Sequence, residues 1–269
     1  MTNKEALEFC LQYLNERNID EADFKSLCLV CHIGGFKNSE FFINSDKQAD
    51  INALISLLER LEKGEPLQYI IGKWDFYESE FLVGEGVLIP RPETEELVDI
   101  ALKDAKVFSS PVIYDLCSGS GCIGISIAKK IKNSKVFCVE KSEKAFEYLK
   151  KNSENINNAV PIFADINDDI DLPMADIIVS NPPYIKSEDI KGLQKELFFE
   201  PEMALDGGSD GLVFYKIIKK RYLKKLKEGG IILLEIGNEQ GNDIKKLFNN
   251  AKIIKDIYGN VRIARIIKE

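Results

Sequence analysis

Apolar positions in the first quarter of the chain recur at helical spacing. Leu7, Leu11 and Leu14 mark one amphipathic face, and the apolar residues of segment 51–61 mark another. Steps of three and four residues place side chains on one face of a helix, where they can pack against a core. We therefore predict a small helical domain over residues 1–70.

The pattern then changes to one typical of short strands. Residues 71–90 contain aromatic and β-branched side chains interrupted by Gly72, Gly84 and Gly86, which predicts a β-hairpin in a connecting segment. Pro92 begins a helix whose first turn is acidic, as suits the positive end of a helix dipole.

Short apolar runs alternate with helical stretches from residue 111 onward. The runs are PVIYDL (111–116), KVFCVE (135–140), AVPIFAD (159–165), ADIIVS (175–180) and GIILLEIG (230–237). Such alternation predicts a parallel sheet with helices on both faces. Two further strand-like runs meet at Gly259-Asn260, a hairpin signal. We predict an α/β fold over residues 91–269: a Rossmann-like, doubly wound, mostly parallel sheet with a C-terminal antiparallel hairpin.

Composition and charge narrow the class of protein. The chain has 269 residues, of which 45% are hydrophobic, and a formal net charge of -8. No stretch approaches the roughly 20 apolar residues of a membrane span, and the first residues are charged where a signal peptide is apolar. The net negative charge also argues against extensive binding to nucleic acid, for which a basic face supplies most of the affinity, although a local basic patch is compatible with it. We expect a cytoplasmic monomer with no membrane contact and no stable binding to nucleic acid.

Histidine and cysteine positions bear on metal and haem chemistry. The single histidine, His32, argues against a His-dependent catalytic triad and most zinc sites, so we expect no metal. It completes Cys28-Leu-Val-Cys31-His32, which matches the C-x-x-C-H pattern of haem attachment. That attachment needs an exported chain, whereas these residues follow a helical pattern. We interpret Cys28 and Cys31 as buried free thiols, with haem attachment and a redox or metal pair as alternatives.

A glycine-rich loop follows the first strand of the predicted sheet. The segment DLCSGSGCIG places Gly119, Gly121 and Gly124 in the G-x-G-x-x-G spacing of a dinucleotide site, between a strand and a helix. Glu140 ends the next strand about 20 residues on, where an acid can accept both ribose hydroxyls. The alternative is that the glycines only permit a tight turn.

Acidic residues beside this loop indicate which nucleotide it binds. Asp115 directly precedes the loop, where its carboxylate would repel a pyrophosphate and suit a cationic ligand. S-adenosylmethionine carries a sulfonium, an ammonium and an adenosine, but no phosphate. Asp165 could accept from the adenine amino group while Ile166 offers the ring an apolar face; the alternative is that Asp165 is a turn residue. We therefore expect S-adenosylmethionine as the cofactor.

The sequence Asn181-Pro182-Pro183-Tyr184 follows the fourth strand, at the same predicted edge of the sheet. Two prolines make this a stiff loop, and the Asn181 side-chain carbonyl with the Pro182 backbone carbonyl offers two acceptors to one planar NH₂ group. Tyr184 can stack on that group. We predict a methyltransferase in which Asn181, Pro182 and Tyr184 are catalytic, acting on an amide or an amino-substituted ring.

The motif NPPY after DLCSGSG resembles that of amino-methyltransferases, which include adenine-methylating DNA enzymes and protein glutamine methyltransferases. The segment GVLIPRPETEELVD and the helical N-terminal domain are similar to those of the release-factor glutamine methyltransferases, the HemK/PrmC family. FEPEMALDGGSDGL, GGIILLEIGNEQG and YGNVRIA also resemble that family, so the resemblance covers nearly the whole chain. A DNA adenine amino-methyltransferase is the main alternative, followed by a dehydrogenase and a non-catalytic adaptor.

The resemblance implies methylation of the side-chain amide nitrogen of the glutamine in the Gly-Gly-Gln motif of peptide chain release factors. It implies that residues 1–70 dock the release factor and that Arg91 and the helix start PETE (92–95) border the site, with a surface salt bridge as the alternative for Arg91. Cys117 stands where the family often has glycine, and Ile166 where an aromatic residue can stack on adenine. The implied cofactor contacts are Cys117, Ser118, Gly119, Ser120, Gly121, Glu140, Ile166 and Asn181, and the substrate contacts are Asn181, Pro182, Pro183 and Tyr184.

Overall fold

The computed structural model describes residues 1–193 and 195–269. Contacts between residues divide the chain into two compact units, Met1–Gly72 and Lys73–Glu269. The first unit is helical, whereas the second contains both sheets of the structure.

The N-terminal unit begins with a helix that has a capping box at its N-terminus. The Thr2 hydroxyl accepts the Glu5 N–H at 3.3 Å, and the Glu5 carboxylate accepts the Thr2 N–H at 2.8 Å, which forms a capping box. The five α-helices of this unit are α1 (Asn3–Glu16), α2 (Ala22–Gly34), α3 (Phe41–Asn44), α4 (Ile51–Glu62) and α5 (Leu67–Ile71).

The buried face of helix α1 differs in part from the predicted one. Leu14 is buried as predicted, but Leu7 and Leu11 are only half-buried, because the buried stripe of α1 starts at Asn3 rather than at Leu7. The buried positions of α1 and α4 are Asn3, Ala6, Cys10, Leu14, Leu54, Leu58 and Leu61. The amphipathic helices are therefore present, with the face of α1 rotated.

The cysteine pair of α2 lies in the interior of the N-terminal unit. Cys28 and Cys31 are free and buried, and burial raises the pKa of the Cys31 thiol to about 11. A buried thiol with a raised pKa carries little thiolate and is unreactive. Within the part of the chain that the structure describes, no group of three or more His, Cys, Asp or Glu side chains could hold a metal ion.

The C-terminal unit contains a hairpin and a seven-stranded sheet. The sheet order is β5-β4-β3-β6-β7-β9-β8, and only the two pairs that include β9 are antiparallel. This confirms the predicted doubly wound, mostly parallel sheet with its C-terminal hairpin. The strands are β1 (Lys73–Phe76), β2 (Ser79–Leu82), β3 (Val112–Leu116), β4 (Lys135–Glu140), β5 (Ala159–Phe163), β6 (Ala175–Ser180), β7 (Leu226–Glu235), β8 (Lys252–Lys255) and β9 (Val261–Ile267).

Helices cover both faces of this sheet. Successive residues of β6 show the alternation, since Ile177 and Val179 join one apolar cluster and Ile178 joins the other. The helices are α6 (Glu95–Ala105), α7 (Cys122–Lys130), α8 (Glu143–Ser153), α9 (Val213–Ile217) and α10 (Gly241–Leu247). Among the described residues no helix is both long and apolar enough to cross a membrane.

The segment that begins at Tyr215 has apolar residues at helical spacing (Ile217, Ile218, Leu223 and Leu226) but does not form one regular helix. After α9 the backbone forms a π-helical turn over Ile218–Tyr222 and then a 3₁₀ turn over Leu223–Lys225. Ile218 and Tyr222 are nonetheless buried in the same apolar cluster as Tyr215 of α9. Side-chain burial against the sheet thus prevails over regular helix geometry here.

Candidate active site

A cavity opens at the edge of the sheet where β3, β4, β5 and β6 end. Its empty volume is about 960 Å³, which includes the open solvent at its mouth. The predicted site residues that line it are Cys117, Ser118, Gly119, Ser120, Glu140, Asp165, Ile166, Asn181 and Pro183. The predicted residues outside its lining are Asp115, Gly121, Pro182 and Tyr184.

The glycine loop after β3 has the left-handed backbone that its sequence predicts. Gly119 and Gly121 have φ of 55° and 82°, and an added Cβ at Gly121 would lie 2.5 Å from a Leu149 methyl. Cys117 also has a positive φ, 58°, which is unusual for a residue with a side chain. The turn therefore explains why glycine is common at this position in the family that the sequence resembles.

Glu140 ties this loop to the end of β4. Its carboxylate accepts the Gly119 N–H at 2.7 Å and the Ser142 N–H at 2.6 Å, and burial raises its pKa. A carboxylate oxygen has more than one lone pair, so both oxygens can still accept hydroxyl groups from a ligand in the cavity. This arrangement agrees with the predicted ribose contact.

Asp115 does not face the cavity, contrary to our expectation. Its carboxylate is fully buried, and one oxygen accepts the Gly124 N–H of α7 at 2.9 Å. Side chains alternate along a strand, and Asp115 points to the face that α7 covers. An added Cβ at Gly124 would lie 2.8 Å from this oxygen, so the glycine makes room for the carboxylate. Burial raises the pKa of Asp115 to about 7.

The residues predicted to contact adenine both line the cavity. Ile166 is buried and belongs to the apolar cluster on one face of the sheet. Asp165 pairs with Lys141 at 2.7 Å and accepts the Asn167 N–H at 2.8 Å, as a turn residue does. Asp165 is therefore a turn residue, the alternative stated above, and it also lines the cavity.

A buried polar cluster holds the Asn-Pro-Pro-Tyr loop. The Asn181 amide nitrogen lies 3.4 Å from the Thr94 hydroxyl, which is 2.6 Å from one carboxylate oxygen of Glu235. The Tyr184 hydroxyl lies 3.4 Å from the other oxygen of Glu235. Gln240 donates to the Tyr184 carbonyl at 3.0 Å. The loop is thus fixed by side chains from elsewhere in the unit.

The site also contains residues outside the two loop motifs. Arg91 lines the cavity, as expected, and forms an ion pair with Glu200, whose carboxylate also accepts the Ile89 N–H. Thr94 lines the cavity too, and Glu235 ends β7. The available signal for Glu235 was an acid directly after the apolar run Ile231–Leu234, at the same edge of the sheet as the two motifs.

Comparisons with protein families match most of the chain. The PrmC N-terminal domain family matches residues 5–72, and the methyltransferase small domain family matches residues 97–229. The first match covers nearly all of the N-terminal unit, and the second contains the glycine loop and the Asn-Pro-Pro-Tyr loop.

Curated relatives agree over nearly their full length. The release factor glutamine methyltransferase of Thermodesulfovibrio yellowstonii is 38% identical over 87% of this chain and 88% of that protein. That of Geobacter sulfurreducens is 34% identical over 92% of this chain and 88% of that protein. The solved hMettl16 catalytic domain, in complex with an MAT2A 3′UTR hairpin, is 14% identical with a TM-score of 0.56 over 69% of this chain and 73% of that chain, which shows a shared fold alone. The chain belongs to the release factor glutamine methyltransferase family.

Proposed function

We propose that this protein transfers a methyl group from S-adenosylmethionine to the side-chain amide nitrogen of the glutamine in the Gly-Gly-Gln motif of peptide chain release factors. The observation that carries the proposal is Asn181 at the wall of a cavity that the glycine loop also lines. The curated relatives, which bear the name of this activity, support the same substrate. No finding favours methylation of DNA adenine.

The lining of the cavity fits the proposed cofactor. Glu140 provides acceptors for ribose hydroxyls, and Ile166 and Val139 provide an apolar surface for adenine. Ser120 lines the cavity with a buried hydroxyl that has no hydrogen-bond partner within residues 1–193 and 195–269, so it can bind a polar group of the ligand. When bound, S-adenosylmethionine supplies a methyl group already activated by its sulfonium.

The task of the protein is to present a poor nucleophile correctly. The lone pair of an amide nitrogen is conjugated into the neighbouring carbonyl group. The carbonyl oxygens of Asn181 and Pro182 would accept the two hydrogens of the substrate NH₂ group and so aim the nitrogen lone pair at the methyl group. Effective molarities of roughly 10⁵–10⁸ M are available from such positioning. No general base is needed before transfer, because the extra proton can leave afterwards. Pro183 and Tyr184 complete the proposed substrate contacts.

The wider assignment of the chain follows from this substrate. We propose that residues 1–70 dock the release factor and that residues 91–269 bind the cofactor, with 71–90 as connector. A release factor acts in translation, which places the reaction in the cytoplasm, and we propose that the protein works as a monomer. The docking role predicts that replacing residues 1–70 raises KM for the release factor and leaves donor affinity intact.

The proposal is tested by incubating purified release factor with the protein and S-adenosylmethionine, followed by intact-mass and peptide analysis. We expect one added methyl group on the glutamine of the Gly-Gly-Gln motif. Asn181→Ala should lower the rate by about 10²–10³-fold, as expected for loss of a preorganised hydrogen-bonding group.

The matched control is Asn249→Ala, the same substitution at an exposed position of the same unit. It should leave the rate unchanged. An unmodified release factor together with methylated adenine in a DNA substrate would overturn the proposal. A loss of less than threefold in Asn181→Ala would remove the role assigned to Asn181.

A further inference from the structure

The structure assigns Thr94 and Glu235 a positioning role: together they orient the side-chain amide of Asn181 so that its oxygen, not its nitrogen, faces the methyl acceptor. This inference rests on the proposed function, because it concerns how Asn181 meets a planar NH₂ group. It adds two residues to the site that neither cofactor nor substrate needs to touch.

The first step is the contact between Thr94 and Glu235. Both side chains are buried, with 2% exposure each, and the hydroxyl lies 2.6 Å from the carboxylate oxygen. Hydrogen bonds of this length are typical of a hydroxyl that donates to an ionised carboxylate. Burial raises the pKa of Glu235, while the Thr94 hydroxyl and the nearby Arg262 guanidinium favour its ionised form.

The second step is a count of protons. An ionised carboxylate only accepts hydrogen bonds, so the single hydroxyl proton of Thr94 points to Glu235. The Thr94 oxygen can then only accept, and the group 3.4 Å away on Asn181 must be its NH₂. The Asn181 amide oxygen is consequently left free for the substrate. A protonated or amidated residue 235 would permit the opposite arrangement.

The third step concerns the other end of the same loop. The second carboxylate oxygen of Glu235 lies 3.4 Å from the Tyr184 hydroxyl, and the Tyr215 hydroxyl donates to the Glu235 backbone carbonyl at 3.0 Å. One carboxylate thus contacts the last residue of Asn-Pro-Pro-Tyr directly and the first residue through Thr94, and a buried tyrosine fixes the strand end that carries it.

The test compares Thr94→Val, which keeps the shape but removes the hydroxyl, with Thr94→Ser, which retains it. Losing one buried hydrogen bond should lower kcat about tenfold in Thr94→Val. Thr94→Ser should stay within about threefold of the wild type. Donor affinity, measured by calorimetry, should change less than twofold in both. In Glu235→Gln, kcat should fall at least as far as in Thr94→Val, because the new amide can donate to Thr94 and reverse the Asn181 amide.

A double-mutant cycle separates positioning from general support of the fold. If Thr94 acts through Asn181, Thr94→Val should cause no further loss in an Asn181→Ala background. A tenfold loss in both backgrounds, or equal losses in the Val and Ser variants, would overturn the proposal.

A second readout does not depend on the substrate. The Asn181 side-chain NH₂ resonances, assigned by their absence in Asn181→Ala, should shift in Thr94→Val and remain in place in Thr94→Ser. Unshifted resonances in Thr94→Val would overturn the positioning role even if the release factor is methylated. An unmodified release factor with shifted resonances would instead overturn the proposed function and leave the oriented amide in place.

Discussion

The glycine loop and the Asn-Pro-Pro-Tyr loop lie at the same edge of one sheet but are held by different means. The glycine loop is fixed by nearby groups: Gly119 donates to Glu140, and Asp115 accepts from Gly124. The second loop is fixed by residues far away in sequence, since Thr94 and Glu235 are separated by 141 positions. A short motif can therefore encode the first loop, whereas the second requires the complete fold.

This difference predicts separate consequences for damage to each loop. Changes around the Asn-Pro-Pro-Tyr loop should lower the rate of methyl transfer at unchanged donor affinity. Changes in the glycine loop should act on donor affinity or on the free energy of unfolding. The following variants test that separation.

The largest effect is expected for Gly207→Ala. An added Cβ would lie 2.7 Å from the Cα of Tyr184 and 2.9 Å from its carbonyl carbon, so the Tyr184 backbone must shift. A displacement of about 1 Å can cost roughly 10²-fold in rate. We expect kcat to fall by about that factor, with donor affinity by calorimetry within twofold. In Gly192→Ala, where a Cβ would meet no described atom within 4 Å, the rate should be unchanged. Equal losses of kcat in the two variants would contradict the separate roles of the two loops.

The next effect concerns Glu140 in the glycine loop. Glu140→Gln replaces one acceptor of the Gly119 and Ser142 N–H groups by an NH₂ group, and a lost charge-assisted bond costs about 1.5–3 kcal/mol. We expect Kd for S-adenosylmethionine to rise at least about tenfold, with kcat at saturating donor reduced less than threefold. A variant that loses kcat and keeps its Kd would show that the two loops are not separate.

A third effect is expected in the pH dependence of stability. The pKa of Asp115 is raised by burial from 3.8 to about 7, so between these values the unfolded chain binds fewer protons than the folded one. The contribution of this group is fully present below about pH 4 and is lost as the pH rises towards 7, by roughly 1 kcal/mol per pH unit. The free energy of unfolding should be measured by urea unfolding at a series of pH values, for the wild type and for Asp115→Asn. Plotted against pH, the two free energies should converge or cross between pH 4 and 7. Curves that run parallel from pH 4 to 8 would contradict it.

The smallest effect is expected for Cys117→Gly. A left-handed residue with a Cβ costs about 1–2 kcal/mol, but glycine loses about 0.5–1 kcal/mol more chain entropy on folding. The two terms nearly cancel, so thermal unfolding should report a change below about 1 kcal/mol, with donor affinity within twofold. A several-fold weaker donor affinity would mean that the Cys117 side chain itself contacts the ligand.

The same contrast explains how much of the molecule the sequence predicts. Apolar periodicity and glycine spacing are local properties; the first predicted the strands and the parallel sheet, and the second predicted the glycine loop. Asp115 was misplaced because proximity in sequence was taken for proximity to the ligand, whereas strand alternation turns it towards α7. Glu235 was not predicted, and Thr94 was included only within the helix start 92–95, because each is ordinary in its own segment and only the fold brings them together. The π-helical turn at Ile218–Tyr222 depends likewise on packing against the sheet.

The position of β9 has a consequence for synthesis on the ribosome. This strand is the last of the sheet to be made, yet it lies between β7 and β8, and its Ile263 pairs with Glu235. A nascent chain that has folded the glycine loop therefore still presents the apolar edge of β7, which can pair with another chain. The pairing that fixes the end of β7, and with it Glu235, is completed only when β9 has left the exit tunnel.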